Sequence, residues 1–185
     1  LFSDGFLPQL TKRLILRRFI DLDLERFLAY RYDPQVARFQ SWSALSESDA
    51  KSFIREMQIA EIGEPGEWFQ IAIAHRQSNR LIGDIGLQVD AKEPTIVEIG
   101  YTLNRNDQGK GYATEAISTL IDRLLQSKQI DKIIAVTDVR NEPSIRLLKR
   151  LGMKLSSSKE VEFKGEWCVE QTFELNQSSV AKINQ

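Results

Sequence analysis

The stretch "NRNDQGKGYATEA", residues 104–116, starts where a β-rich run ends, passes Gly109 and Gly111 on either side of Lys110, and turns at once into a helix pattern. After it, Ala113, Ala116, Ile117, Leu120, Ile121 and Leu124 recur at helical spacing, which predicts a helix from Tyr112 to about Gln126. Before it lie three runs rich in β-formers, "WFQIAIAH" (68–75), "RLIGDIGLQV" (80–89) and "TIVEIGYTL" (95–103), joined by short polar links. Links that short suit an antiparallel meander, because parallel neighbours need long crossovers. "KIIAVTD" (132–138) then reads as a buried strand, making 95–138 a single βαβ crossover.

The flanks complete an α+β pattern with a mostly antiparallel sheet. "TKRLILRRF" (11–19) alternates Leu14 and Leu16 against charges and reads as a strand, with Asp21 suited to cap the helix carrying Leu24, Phe27, Leu28 and Arg31. Asp33-Pro34 breaks that helix. Ser46 and Asp49 resemble a capping box ahead of Ala50, Phe53, Ile54 and Met57, a second helical stripe. "NEPSIRLLKRLG" (141–152) predicts the last helix, with Pro143 in its first turn and Gly152 as its stop. Two alternating runs, 153–163 and 166–175, joined by Lys164-Gly165, predict a closing hairpin. The expected order is β-α-α-β-β-β-α-β-α-β-β in one domain over 1–175, with 176–185 a loose polar tail.

Composition narrows the function. The chain's 185 residues suffice for one continuous core, and 25 basic against 26 acidic residues give no whole-molecule attraction to nucleic acid. No apolar run approaches the roughly 18 residues of a membrane span. The single cysteine, Cys168, has no partner for an intrachain disulfide, and the expected setting is cytoplasmic. No His/Cys cluster has metal-ligand spacing, so no metal site is expected. Cys168 as a nucleophile lacks a base, since the one histidine, His75, is on a different strand.

The junction at 104–116 has a physical use. Glycines let the backbone approach a ligand closely, and the free amides opening a helix, with its positive dipole end, attract an anion such as a diphosphate. Lys110 adds a cation. A tight turn needing glycine only for its dihedrals is the plainer reading. A Rossmann fingerprint would place glycine at 114, where Thr114 stands, and a P-loop would place Ser or Thr at 111.

In combination, "TKRLILRRF", "LIGDIGL" (81–87), "VEIGYTL" (97–103), "QGKGYATEA" (108–116) and "RNEPSIRLLKRLGM" (140–153) resemble the GNAT acetyltransferases, and among them the RimJ/RimL type. The resemblance implies a GNAT fold with two splayed strands and acetyl-CoA as cosubstrate. It implies that Gln108, Gly109, Lys110, Gly111, Tyr112 and Ala113 hold the diphosphate. The main chain of Tyr101, Thr102 and Leu103 would pair with pantetheine, and Asn141 would bond to its arm. It also puts the stretch 37–46 beside the acceptor, with Arg38, Phe39 and Trp42 as candidate groove residues. Two positions depart from the pattern: Asn106 replaces a Gln or Arg, and Leu148 stands where a tyrosine acid is usual, leaving Ser144 as the hydroxyl in that helix.

The reaction itself needs a neutral amine, support for a negative oxygen and a leaving thiolate. An α-amine, with reference pKa near about 7.7–8.0, is roughly a tenth to a third neutral around pH 7, whereas a lysine amine near about 10.4 is well under about 1% neutral. Glu98, sharing a strand face with Gly100 and Thr102, is the candidate base; an exposed strand glutamate or a partner for an arginine is the alternative. Backbone amides near Tyr101 are candidate oxyanion donors. The expected activity is acetylation of a primary amine, the N-terminal α-amine of a protein or peptide, by direct attack in a ternary complex. A small-amine or aminoglycoside acetyltransferase and a non-catalytic acyl-CoA-binding module are the competing readings, and both monomer and homodimer fit.

Overall fold

The meander forms as its short links require. In a computed structural model, which describes residues 2, 5–42 and 45–177, β3 (Trp68–His75), β4 (Leu81–Val89) and β5 (Ile96–Leu103) pair antiparallel in sequence order. They continue one eight-stranded sheet, ordered β1-β2-β3-β4-β5-β6-β8-β7. Its other strands are β1 (Gln9–Leu10), β2 (Leu14–Arg17), β6 (Lys132–Asp138), β7 (Lys154–Phe163) and β8 (Glu166–Asn176). The parallel pair is β5 with β6, joined by α4 (Tyr112–Gln126), as the crossover predicts.

Helix α4 buries Ala116, Ile117, Leu120, Ile121 and Leu124, the apolar stripe of the sequence. Each large aliphatic side chain removed from water there contributes about 1.5–3 kcal/mol. The other helices are α1 (Leu24–Arg31), α2 (Pro34–Ala37), α3 (Glu47–Ile59) and α5 (Glu142–Arg150). Ser46 caps α3 by accepting from the Asp49 amide at 3.1 Å.

Several local expectations change. Residues 11–13 are a turn rather than strand, because the Thr11 hydroxyl accepts from the Leu14 amide at 2.8 Å and folds β1 back on β2. Asp23, not Asp21, organises the entry to α1: it is buried, takes two bonds from Arg17 at 2.7 and 2.9 Å, and accepts from the Ile20 amide. Asp33-Pro34 ends α1 and also starts α2, with Asp33 as N-cap. Strand β6 alternates instead of being buried throughout, with Val136 37% exposed between the buried Ala135 and Thr137. Strand β7, the outermost strand, is exposed from Lys154 through Glu160 on both faces. At the C-terminal end, β8 runs to Asn176 and Gln177 donates to the Asp131 carbonyl, while the rest of the expected tail lies outside the described residues.

Candidate active site

Strands β5 and β6 pair through three residues only, Ile96, Val97 and Glu98 against Lys132, Ile133 and Ile134, whereas β5 and β4 pair through seven. Past Glu98 the parallel strands part, and the edge of β5 from Ile99 onward faces a fork. The Tyr101 carbonyl there accepts from Gln40 Nε2 at 3.3 Å instead of from β6. Gly100 opens the floor of the fork, for a side chain added to it would meet nothing within 4 Å.

At the end of β5 a short 3-10 turn, Arg105–Asp107, leads into the glycines. Gly109 and Gly111 have φ of +74° and +79°, so both need the left-handed region that favours glycine. The plainer reading of the turn is therefore correct as far as it goes. The same geometry leaves the main-chain amides of Gly109 through Thr114 without an acceptor among the described residues. That is the donor set an anion requires.

Long-range contacts hold the turn. Arg13 donates from Nη1 to the Lys110 carbonyl at 2.9 Å and from Nε to Glu115 at 2.7 Å, while Thr11 donates to the same carboxylate. These bonds hold the Glu115 carboxyl below its ordinary range despite the opposing effect of burial. Asp107 is buried and receives Arg80 at 3.0 and 3.3 Å. Gln108 donates to the Leu103 carbonyl at 3.0 Å, tying the turn back to the strand.

A cavity of about 450 Å³ joins the fork to the glycine turn. Of the expected cofactor residues, Tyr101, Thr102, Leu103, Gln108, Gly109, Gly111, Tyr112, Ala113 and Asn141 line it, and Ser144 and Phe39 join them. Lys110 does not line it; its side chain is exposed and its carbonyl serves Arg13. Asn141 Oδ1 caps α5 by accepting from the Ser144 amide at 3.3 Å. Arg146 and Arg150, missed in the sequence, face the cavity from α5 one turn apart. Their i,i+4 spacing beside the Asn141 cap was the available signal.

Glu98, Arg38 and Trp42 lie off that cavity. Glu98 sits at the last pair before the fork, on the sheet face opposite Tyr101. Burial and then the nearby Glu170 carboxylate push its pKa up, with Lys159 opposing. Arg38 is exposed and lies over the Phe39 ring, and Trp42 stacks on the Arg31 guanidinium at 4.4 Å. Cys168 is buried and its thiol is pushed up by burial and by Asp138, the opposite of an activated nucleophile.

Comparison with known proteins agrees with this geometry. The family model described as "Acetyltransferase (GNAT) domain" matches residues 13–154. The uncharacterized N-acetyltransferase YnaD of Bacillus subtilis is 33% identical over 144 residues, 78% of this chain and 81% of that protein. Among solved structures, a GNAT-family acetyltransferase from Bacillus anthracis superposes with a TM-score of 0.81 at 24% identity, over 93% of this chain and 99% of that one. RimL, a ribosomal L7/L12 α-N-protein acetyltransferase solved with coenzyme A, gives 0.76 at 14% identity, over 91% and 96%. Likeness at those identities is likeness of fold, whereas the family match and the YnaD relationship carry the assignment: the chain belongs to the GNAT acetyltransferases.

Proposed function

We propose that this acetyltransferase moves an acetyl group from acetyl-CoA to the α-amine of a protein or peptide N-terminus. The observation that carries the reading is the joining, in one cavity, of a strand fork with an open glycine floor to a run of unpartnered amides. The fit to acetyl-CoA is chemical: the amides of Gly109 to Thr114, with Arg146 and Arg150 opposite, suit a diphosphate, and the free edge of β5 suits an amide-bearing arm. When bound, acetyl-CoA supplies an activated acyl group as a thioester.

The chain's own residues do the rest. Tyr101 and Leu103 turn main-chain groups toward the fork, Thr102 lines the cavity while its main chain pairs with Asp84 on β4, and Asn141 has its Nδ2 available after Oδ1 has capped the helix. Glu98 accepts the amine's proton, directly or through water, and its raised pKa strengthens it as a base near neutrality. Amides beside Tyr101 serve the developing oxyanion. Phe39 forms the acceptor-side wall of the cavity, with Arg38 and Trp42 behind it. An α-amine is the favoured acceptor because it asks least of one carboxylate base, and RimL, an α-N-protein acetyltransferase, shares the fold.

The test is CoA release with acetyl-CoA against N-terminal peptides, lysine peptides, polyamines and aminoglycosides. Turnover confined to N-terminal peptides supports the reading. Turnover of small amines alone moves the acceptor class, and acetyl-CoA binding without turnover on any amine leaves a binding module.

A further inference from the structure

The peptide joining Lys110 to Gly111 lies just outside the reach of α4. Gly111 is the N-cap of that helix, and its carbonyl accepts the Glu115 amide at 3.1 Å, which fixes the peptide that follows it. The peptide before it has no such tie. Among the described residues the Lys110 carbonyl accepts only from Arg13 Nη1, at 2.9 Å.

That one bond decides where an amide points. In a trans peptide the carbonyl and the N–H leave the chain in opposite directions. Lys110 stays off the cavity and Gly111 lines it, so a carbonyl held outward aims the Gly111 N–H inward. Glycine accepts φ of either sign at little steric cost, and Gly111 stands at +79°. The same freedom lets the peptide plane turn over, which would put a carbonyl oxygen where an anion needs a donor.

Arg13 is itself held from several sides. Its amide and its Nε donate to the two oxygens of Glu115, each at 2.7 Å, and Thr11 donates to the same carboxylate. Its carbonyl accepts the Arg76 amide at 2.8 Å, and its guanidinium lies 4.5 Å over the Tyr112 ring. Glu115 belongs to the first turn of α4, so its carboxylate ties the turn at 11–13 to the start of the helix that the turn braces. The ion pair also balances the guanidinium's charge. What Arg13 gives the cavity is direction more than charge.

Building on the acetyltransferase reading, we infer that Arg13 is a positioning residue for the coenzyme: it holds the Lys110–Gly111 peptide so that the Gly111 N–H faces the diphosphate. It acts through that peptide and touches no reacting atom. Its effect is on binding, through an orientation that Gly111 by itself leaves free.

Calorimetric Kd values for CoA at about 0.05 and about 0.5 M salt separate direction from charge, because added salt screens exposed charges and leaves a misdirected amide as it is. Arg13→Met should weaken CoA about tenfold at both salt concentrations, the worth of one hydrogen bond to a charged group. Arg13→Lys keeps the charge but lacks the fork that serves Glu115 and Lys110 together, and should lose nearly as much. Glu115→Ala releases Arg13 from its other end; it should act in the same direction, and the double variant should be no weaker than the weaker single one. Dipolar couplings of isotope-labelled protein read the peptide itself. The Gly111 N–H coupling should change in Arg13→Met while those of α4 beyond its first turn stay, which also shows that the variant folds. Unchanged CoA affinity in Arg13→Met, recovery in Arg13→Lys, a loss that salt removes, or a Gly111 N–H that keeps its orientation while CoA weakens would each overturn the inference alone. Failure of the unsubstituted protein to bind CoA overturns the acetyltransferase reading, and this inference with it.

Discussion

The proposed cofactor side and the proposed acceptor side of β5 are built in opposite ways. On the proposed cofactor side, residues 101–103 and 108–114 are nearly contiguous, and the main-chain amides of 109–114 have no acceptor among the described residues. On the acceptor side, Arg38, Phe39 and Trp42 are as close in sequence, yet one is exposed, one lines the cavity and one stacks on Arg31. Main-chain groups go where secondary structure takes them, while side chains go where packing permits. A site made of backbone is therefore local, and a site made of side chains is settled by the whole core.

The support beneath the acceptor side is the first place to break that contrast. Asp84 is buried on β4, accepts from Tyr30, and lies 3.4 Å from Arg31, whose guanidinium packs against Phe27 and Trp42. Asp84→Ala strands a buried guanidinium and should cost about 3–5 kcal/mol in urea unfolding. Burial raises the Asp84 pKa even against Arg31 and Tyr30, so the charge itself is held at a cost, and Asp84→Asn should lose clearly less. Equal losses would mean that the cluster's charge, not its hydrogen bonding, supports the wall.

On the cofactor side the largest effect is on ligand-linked stability. Acetyl-CoA at 100 times its Kd should add about 2.7 kcal/mol to unfolding. Gly111→Val should remove most of this gain, since φ of +79° disfavours a branched residue and the new Cβ would also meet Arg13 Nη2 at 3.4 Å. Gly109→Ala sharpens the result, because its Cβ meets no protein atom within 4 Å. Loss of the ligand gain there, judged against the variant's own ligand-free melt, assigns the turn to binding, and a preserved gain assigns its glycines to dihedrals alone.

The same contrast explains what was legible in the sequence. The meander, the α4 stripe and the crossover follow from periodicity and link length, which are local. The glycine turn followed from its junction. Arg13 and Tyr101 did not: Arg13 meets Glu115 across 102 positions, and the Tyr101 phenol meets Ser144 across 43. No spacing rule carries such pairings. Thr11 to Phe19 read as one strand because alternation is indifferent to a turn that a single hydroxyl closes. The exposure of β7 goes with its place at the edge of the assembled sheet, which no local pattern states.

Phe39 and Trp42 give a smaller effect that separates lining from support. Phe39→Ala should lower kcat/KM for the acceptor by about 1.5–2 kcal/mol, within the value of burying such a side chain, with acetyl-CoA affinity retained. Trp42→Ala, which removes a ring packed on Arg31, should lower the melting temperature first. Reversed outcomes in steady-state kinetics and melts would place Trp42 against the acceptor.

Glu98 gives the smallest effect and the one that reads out the substrate. At pH 7 an α-amine is already roughly a tenth neutral, so a base can contribute at most about tenfold, or ~1.4 kcal/mol, by deprotonating it. Glu98→Gln should therefore cost that much near pH 7 and recover by about pH 8–8.5 on an N-terminal peptide; on a lysine acceptor the loss is larger and recovery extends to about pH 10. Stability moves the other way. Burial and Glu170 raise the folded-state pKa of Glu98, so the folded state holds that proton to higher pH than the unfolded chain, and stability falls as pH rises through the window above the ordinary glutamate value. Glu98→Gln removes that loss and should melt higher than the unsubstituted protein at pH 8, with the difference vanishing by about pH 4. A lower melt at pH 8 would mean that the carboxylate has a structural partner, and a rate loss independent of pH would make Glu98 a residue that positions the acceptor, with the base elsewhere or the amine arriving neutral.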